Sequence, residues 1–362
     1  MTTTSPDRPR RVLSLALGAL GALVALLFFW RQGATTTRGV PSSAPSAAKD
    51  AAPHRESPLP RATDAPAPST SARQGQVLRR AGWGSALEDV GRDRPAEGNP
   101  EGPLSLAATP GGGLAVLDQV NGRLVLSGAG GAELREVRLR ARTPEDLAVA
   151  ADGSIAVLDR THDQSVTVLD PSGRIRGTLP LKTAGIDVPG SVTGVFVDGD
   201  DVYAEREHGS SFRLGDLAGH PAPTPLEVPG RPSRDGKSFV SAGIVDAARG
   251  RAYVASVDRA TSDHRFTREL RMEEPIGSIA LLDTDRAGIL YFALQLPRPG
   301  GDVVRLLCLE PLHGAPLGTV EMPATSLPDE QFRAFAVEDG GGVVHAYLDG
   351  SGVTYARYDC RP

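Results

Sequence analysis

The chain has 362 residues, 40% of them hydrophobic and 23% charged, and a formal net charge of −5. Residues 1–75 carry nine Arg and Lys against four Asp and Glu, which leaves 30 against 40 in residues 76–362. That acidic remainder argues against a nucleic-acid partner, because a phosphate backbone needs a basic surface. Aromatic residues at 5% likewise argue against a stacking surface for sugars or single strands.

The first predicted element is a membrane span. Arg8, Arg10 and Arg11 precede an uncharged run from Val12 to Trp30. At ~1.5 Å rise per residue such a run covers roughly the ~30 Å hydrocarbon core. Phe28, Phe29 and Trp30 sit where an interfacial belt belongs. A cleaved signal would have a shorter apolar stretch and a small-residue cleavage site, and "FFWRQG" supplies no such site. The expected order is a cytoplasmic tail over 1–11, a transmembrane signal anchor over 12–30 and an exported remainder. That makes the chain a single-pass inner-membrane protein with a periplasmic C-terminal domain. Residues 31–75 are rich in Pro, Ala and Ser with few large apolar side chains. Such a segment buries too little surface to offset its chain entropy and is predicted to be a disordered linker.

From residue 76 onward the pattern is one of short strands. "LAVLD" at 114–118 recurs as "IAVLD" at 155–159, each preceded by a Gly turn and followed by another apolar run. Weaker echoes lie at "DVYAE" near 201, "RAYVAS" near 251, "GILYFAL" near 288 and "GVVHAYL" near 342. Six units of short period-2 strands with Gly and Asp turns predict an all-β fold, a six-bladed β-propeller over 76–362. The last unit has only three runs, and the run at 75–84 has no unit of its own. It is expected to supply the missing outer strand, so that no sheet edge is left open.

The first unit resembles an NHL-type repeat: Pro103 opens the inner strand, and Asp118, Asn121 and Arg123 fill a D-x-x-N-x-R pattern. The second keeps Asp159 but has His162 and Gln164 in the later places. The resemblance implies a propeller and no particular reaction.

Candidate chemistry is sparse. The expected contact face combines loops after the second strands, at Asn121, His162, Asp163, His208 and His264, with a basic connection into blade four at Arg231, Arg234 and Lys237. Its partner would be an envelope protein or a small ligand, and no cofactor is predicted. The alternative is a metal-dependent lyase or lactonase working in the central funnel, with zinc on His162, His208 and His264, as an NHL-like ring would allow, or calcium. The calcium-like "DTDRAG" at 283–288 lacks the later oxygen ligands. Cys308 and Cys360 are a disulfide candidate in an oxidising compartment, with a buried free thiol as the rival reading.

Overall fold

The computed structural model describes residues 75–361. The predicted tail, anchor and all but the last residue of the predicted linker lie outside the described residues, within which no helix is long and apolar enough to cross a membrane.

Among the described residues twenty-four strands form six four-stranded antiparallel sheets. Strand β1 (Gln76–Gly82) comes first. Blade one is β2 (Ser105–Thr109), β3 (Gly113–Asp118), β4 (Arg123–Ser127) and β5 (Arg135–Arg138), and blade two is β6 (Asp146–Val149), β7 (Ile155–Asp159), β8 (Ser165–Leu169) and β9 (Ile175–Pro180). Blade three is β10 (Val192–Asp198), β11 (Asp201–Arg206), β12 (Ser211–Asp216) and β13 (Pro221–Val228), followed in blade four by β14 (Arg231–Pro232), β15 (Ser238–Asp246), β16 (Arg251–Asp258) and β17 (His264–Arg271). Blade five is β18 (Ser278–Thr284), β19 (Leu290–Leu296), β20 (Val303–Leu309) and β21 (Pro316–Pro323), and blade six holds β22 (Phe335–Val337), β23 (Val343–Asp349) and β24 (Gly352–Tyr358). Within each blade consecutive strands pair in sequence order. This is a six-bladed β-propeller.

Blade six takes its outer strand from the other end of the domain. β1 pairs antiparallel with β24, from Gln76 opposite Arg357 to Gly82 opposite Gly352. Cys308 on β20 is bonded to Cys360, just past β24, with Cα atoms 5.6 Å apart. Gly318 on β21 makes room for this arrangement, since a Cβ there would run into the Cys360 carbonyl oxygen.

Blade four departs from the sequence pattern by one strand. The echo "RAYVAS" near 251 stands in the pattern where "LAVLD" does, as a second strand, with 231–237 in the connection before the blade. Arg231–Pro232 is itself the innermost strand, "VSAGIVD" belongs to the second strand and "RAYVAS" to the third. A two-residue strand carries no apolar alternation, so the pattern started one strand late.

The core lies between blades as a series of apolar layers. Ala115, Leu117, Val157 and Leu169 pack between blades one and two; Leu158, Val166, Val195 and Val202 pack between two and three. The thinnest layer, Phe196, Tyr203, Val228 and Phe239, separates blades three and four. Ion pairs reinforce that seam, Arg231 with Glu205 and Arg259 with Asp198.

His345 on β23 is buried and stacks on Phe335, with ring centroids 4.3 Å apart. Burial disfavours its charged form and lowers its pKa to about 3, whereas an unfolded-chain His titrates near ~6.5. Below that higher value the unfolded state takes up a proton that the folded state refuses. The stability that His345 contributes is therefore complete above pH ~6.5 and is lost progressively as pH falls toward the folded value. Urea midpoints measured against pH should show His345→Phe with a shallower acid limb than the wild type. An unchanged limb would show that His345 is not the group responsible.

Candidate functional site

Because neighbouring strands run in opposite directions, the connections sort onto two faces of the ring. Turns from first to second strand and from third to fourth share one, here the turn face. Connections from second to third strand and from blade to blade share the other, the loop face. The six inner strands surround a central channel, and a cavity of about 110 Å³ at its turn-face end draws lining residues from all six blades. Its wall is aliphatic on blades one and two, with Leu106, Ala107, Ala148 and Ala150. It is charged on blades four to six, with Arg234, Asp283, Arg286 and Asp339.

These charges are matched from blade to blade. Arg234 binds Asp283 at 2.7 Å and reaches the Val337 carbonyl at 2.9 Å. Arg286 meets Asp339 at 2.8 Å. Deeper in, Arg231 of blade four forks onto Glu205 of blade three at 2.5 and 2.9 Å and also reaches the Leu282 carbonyl of blade five. Arg333, in the segment entering blade six, crosses the channel to Asp146 of blade two at 2.6 Å and the Val195 carbonyl of blade three at 3.0 Å. The Phe196 ring carries both Arg231 and Arg333, each guanidinium carbon 4.8 Å from its centroid. Such contacts are favourable where water is excluded.

The two buried acids of this network differ in protonation energetics. Burial pushes the Glu205 carboxyl up, but the Arg231 charge together with hydrogen bonds from His208, Arg231 and Thr193 holds it well below the ordinary carboxylate range. For Asp146 burial prevails over the pull of Arg333, and its pKa is raised. The geometry explains the contrast. Only Oδ2 of Asp146 is served, by Arg333 and the Val195 N–H, and Oδ1 has no hydrogen-bond partner.

The residues expected on one contact face do not share one. His162, Asp163 and His208 lie on the loop face, and His162 and His208 occupy equivalent places three residues past Asp159 and Glu205. His264 opens β17, a fourth strand, so its connection belongs to the turn face with Arg234 and Lys237. Two hydrogen bonds link that connection to the first turn of blade four, from the Arg259 N–H and the Arg265 guanidinium to the Lys237 carbonyl. The expected trio of His162, His208 and His264 is thus split across the ring, a consequence of the shifted frame of blade four. Among the described residues no three His, Cys, Asp or Glu side chains gather as a metal site. Arg231 is no loop residue but a half-buried strut of the channel, on the innermost strand of blade four.

Asn121 has an internal task as well. Its Nδ2 donates to the Gly84 carbonyl at 3.0 Å and to Asp118 at 2.9 Å. Arg123 is 1% exposed and binds Asp118 at 2.8 Å, Glu136 at 3.0 Å and the carbonyls of Ser85, Ala86 and Asp89. Asp118 in turn accepts the Gly91 N–H at 2.9 Å. The D-x-x-N-x-R residues therefore clamp the segment that leaves β1 and enters blade one. Asp159 acts likewise on the chain entering blade two, accepting from the Thr143 N–H and hydroxyl at 2.9 and 2.8 Å.

Sequence reasoning missed Arg286, Asp339, Arg333 and Asp146. For the first two a signal existed, charged residues in the first turns of blades five and six. For the Arg333–Asp146 pair, 187 residues apart, there was none.

The sequence matches no protein-family model and no curated protein. Among solved structures the chain is similar to hydrazine synthase of Kuenenia stuttgartiensis, at 15% identity over 67% of this chain and 72% of that one with a TM-score of 0.43. It is also similar to a streptogramin B lyase, at 10% identity over 74% and 95% with a TM-score of 0.41. BamB of Moraxella catarrhalis is a third, at 15% identity over 72% and 78% with a TM-score of 0.31. Likeness at this level carries no functional argument, and the six-bladed ring rests on its own strand order.

Proposed function

We propose that this protein is a membrane-tethered scaffold that binds a protein or small ligand, an NHL-like propeller held off the inner membrane on its periplasmic side. Residues 12–30 serve as the anchor, residues 31–75 as the spacer and residues 76–362 as the rigid platform. Rigid frames carrying variable connections are where recognition commonly sits. The observation that carries this reading is the channel chemistry. The ionisable groups that line the axis are joined from one blade to another, Arg231 to Glu205, Arg333 to Asp146 through Oδ2 and Arg234 to Asp283. Groups used this way stiffen a ring, whereas catalysis needs an acid, base or nucleophile left free to react. The NHL-like assignment is supported by the clamp of Asp118, Asn121 and Arg123.

Full-length protein purified in detergent should carry no stoichiometric metal and should retain a specific envelope partner or ligand. Stoichiometric zinc or calcium together with metal-dependent turnover of a lactone or an eliminating substrate would contradict the scaffold reading and favour a lyase or lactonase.

A further inference from the structure

The outer rim holds a second concavity, a groove of about 730 Å³ between blades one and two. It exists because β5 spans four residues and β9 six, so blade one stops short of covering its neighbour. The floor is the outer margin of an interblade core. Val157 and Leu169 lie at its base, Thr167 and Thr178 stand in the same cross-strand row as Val157, and Ile175, 47% exposed, sits at one end.

The rim is unusual for this molecule. Most arginines of the described residues are held by a carboxylate, but Arg135, Arg140, Arg142 and Arg174 are not. Arg140 and Arg174 line the groove and are exposed. Arg142 follows the lining residue Ala141. Arg135 spends its guanidinium on the carbonyls of Pro171 and Ser172 beside the groove. Asp163 is the one acid in the lining. A domain that is acidic as a whole thus presents a strip of exposed arginines along an apolar slot, in which Arg140 has no carboxylate partner, Arg174 acts only at a distance on Asp170 and Arg138 is paired with Glu136, and the outer edge of β9 has no strand paired to it.

We propose that this groove receives an extended acidic segment of a partner protein, its carboxylates on the arginine rim and an aliphatic side chain against Val157 and Leu169. The inference rests on the scaffold reading and names a surface and a partner chemistry for it. An extended chain fits because it can run beside an open strand edge and alternate its side chains between rim and floor. A single-stranded nucleic acid would want aromatic platforms, and the lining has none. A membrane surface would want several apolar side chains that project, whereas in the lining Ile175 alone projects and Val157 and Leu169 are recessed.

The test uses full-length protein and a fluorescein-labelled peptide of alternating Glu and Val, with a Lys and Val peptide, duplex DNA and anionic vesicles in parallel. The acidic peptide should bind, more weakly as salt is raised. Arg140→Glu with Arg174→Glu should weaken it about tenfold or more, and Thr178→Trp should weaken it by filling the slot. Arg268→Glu, another arginine without a carboxylate partner but on β17, should leave it unchanged. No binding by the wild type, equal binding by the double variant, or a preference for DNA or vesicles would overturn the proposal. An envelope partner still captured by the double variant would overturn the groove and leave the scaffold reading standing, while metal-dependent turnover would overturn the scaffold reading itself.

Discussion

Arg123→Ala destabilises the propeller by about 3–5 kcal/mol, the range for stripping one partner from a buried ion pair. Three effects combine in the one substitution. Asp118, fully buried, loses its cation, Glu136 loses its nearest buried partner, and the carbonyls of Ser85, Ala86 and Asp89 lose their donor. Those carbonyls lie in the segment between β1 and blade one, so the damage falls on the join of the ring and not on blade one alone. Urea denaturation of the variant should show a lower midpoint. Arg138→Ala, which removes the largely exposed partner of the same Glu136, should move the midpoint little, as exposed pairs contribute ~0–1 kcal/mol. Equal effects from the two substitutions would show that the clamp does not hold the ring.

Loss of the disulfide is the second large effect. Cys308→Ser with Cys360→Ser, or a reductant acting on the wild type, should lower stability by about 2–5 kcal/mol. The bridge spans 52 residues and ties blade five to the chain end just beyond β24. Both cysteines are buried within the apolar layer between blades five and six, so a serine hydroxyl there also loses packing. Cys308→Ala with Cys360→Ala separates the two contributions. The alanine pair should resemble the reduced wild type, and the serine pair should be weaker than either. A reductant that shifts the unfolding midpoint of the serine pair as much as that of the wild type would show that the shift does not come from this bridge.

Legibility in the sequence followed local pattern strength. Blades one and two could be read because "LAVLD" and "IAVLD" put a buried second strand and its terminal acid in the same frame. The outer strand of blade six could be inferred because the last unit has only three runs and 75–84 has no unit of its own. Blade four was misframed because its inner strand is Arg231–Pro232, too short to show alternation, and that shift carried His264 to the wrong face. The channel network was invisible for another reason. Arg333 and Asp146, or Arg231 and Glu205, meet only after the ring has formed, and nothing local marks them as partners. Asn121 was read as a surface loop residue because the D-x-x-N-x-R pattern names residue types and not the carbonyls they hold.

The propeller is a ring latched by its own first strand. Hydrogen exchange on the full-length protein tests this most directly. The amides of Gln76–Gly82 that face β24 should be protected to the same degree as those of Gly352–Tyr358, and Arg123→Ala should release both together. Exchange of 76–82 at the rate of the preceding residues 31–75, with 352–358 still protected, would contradict a ring closed head to tail.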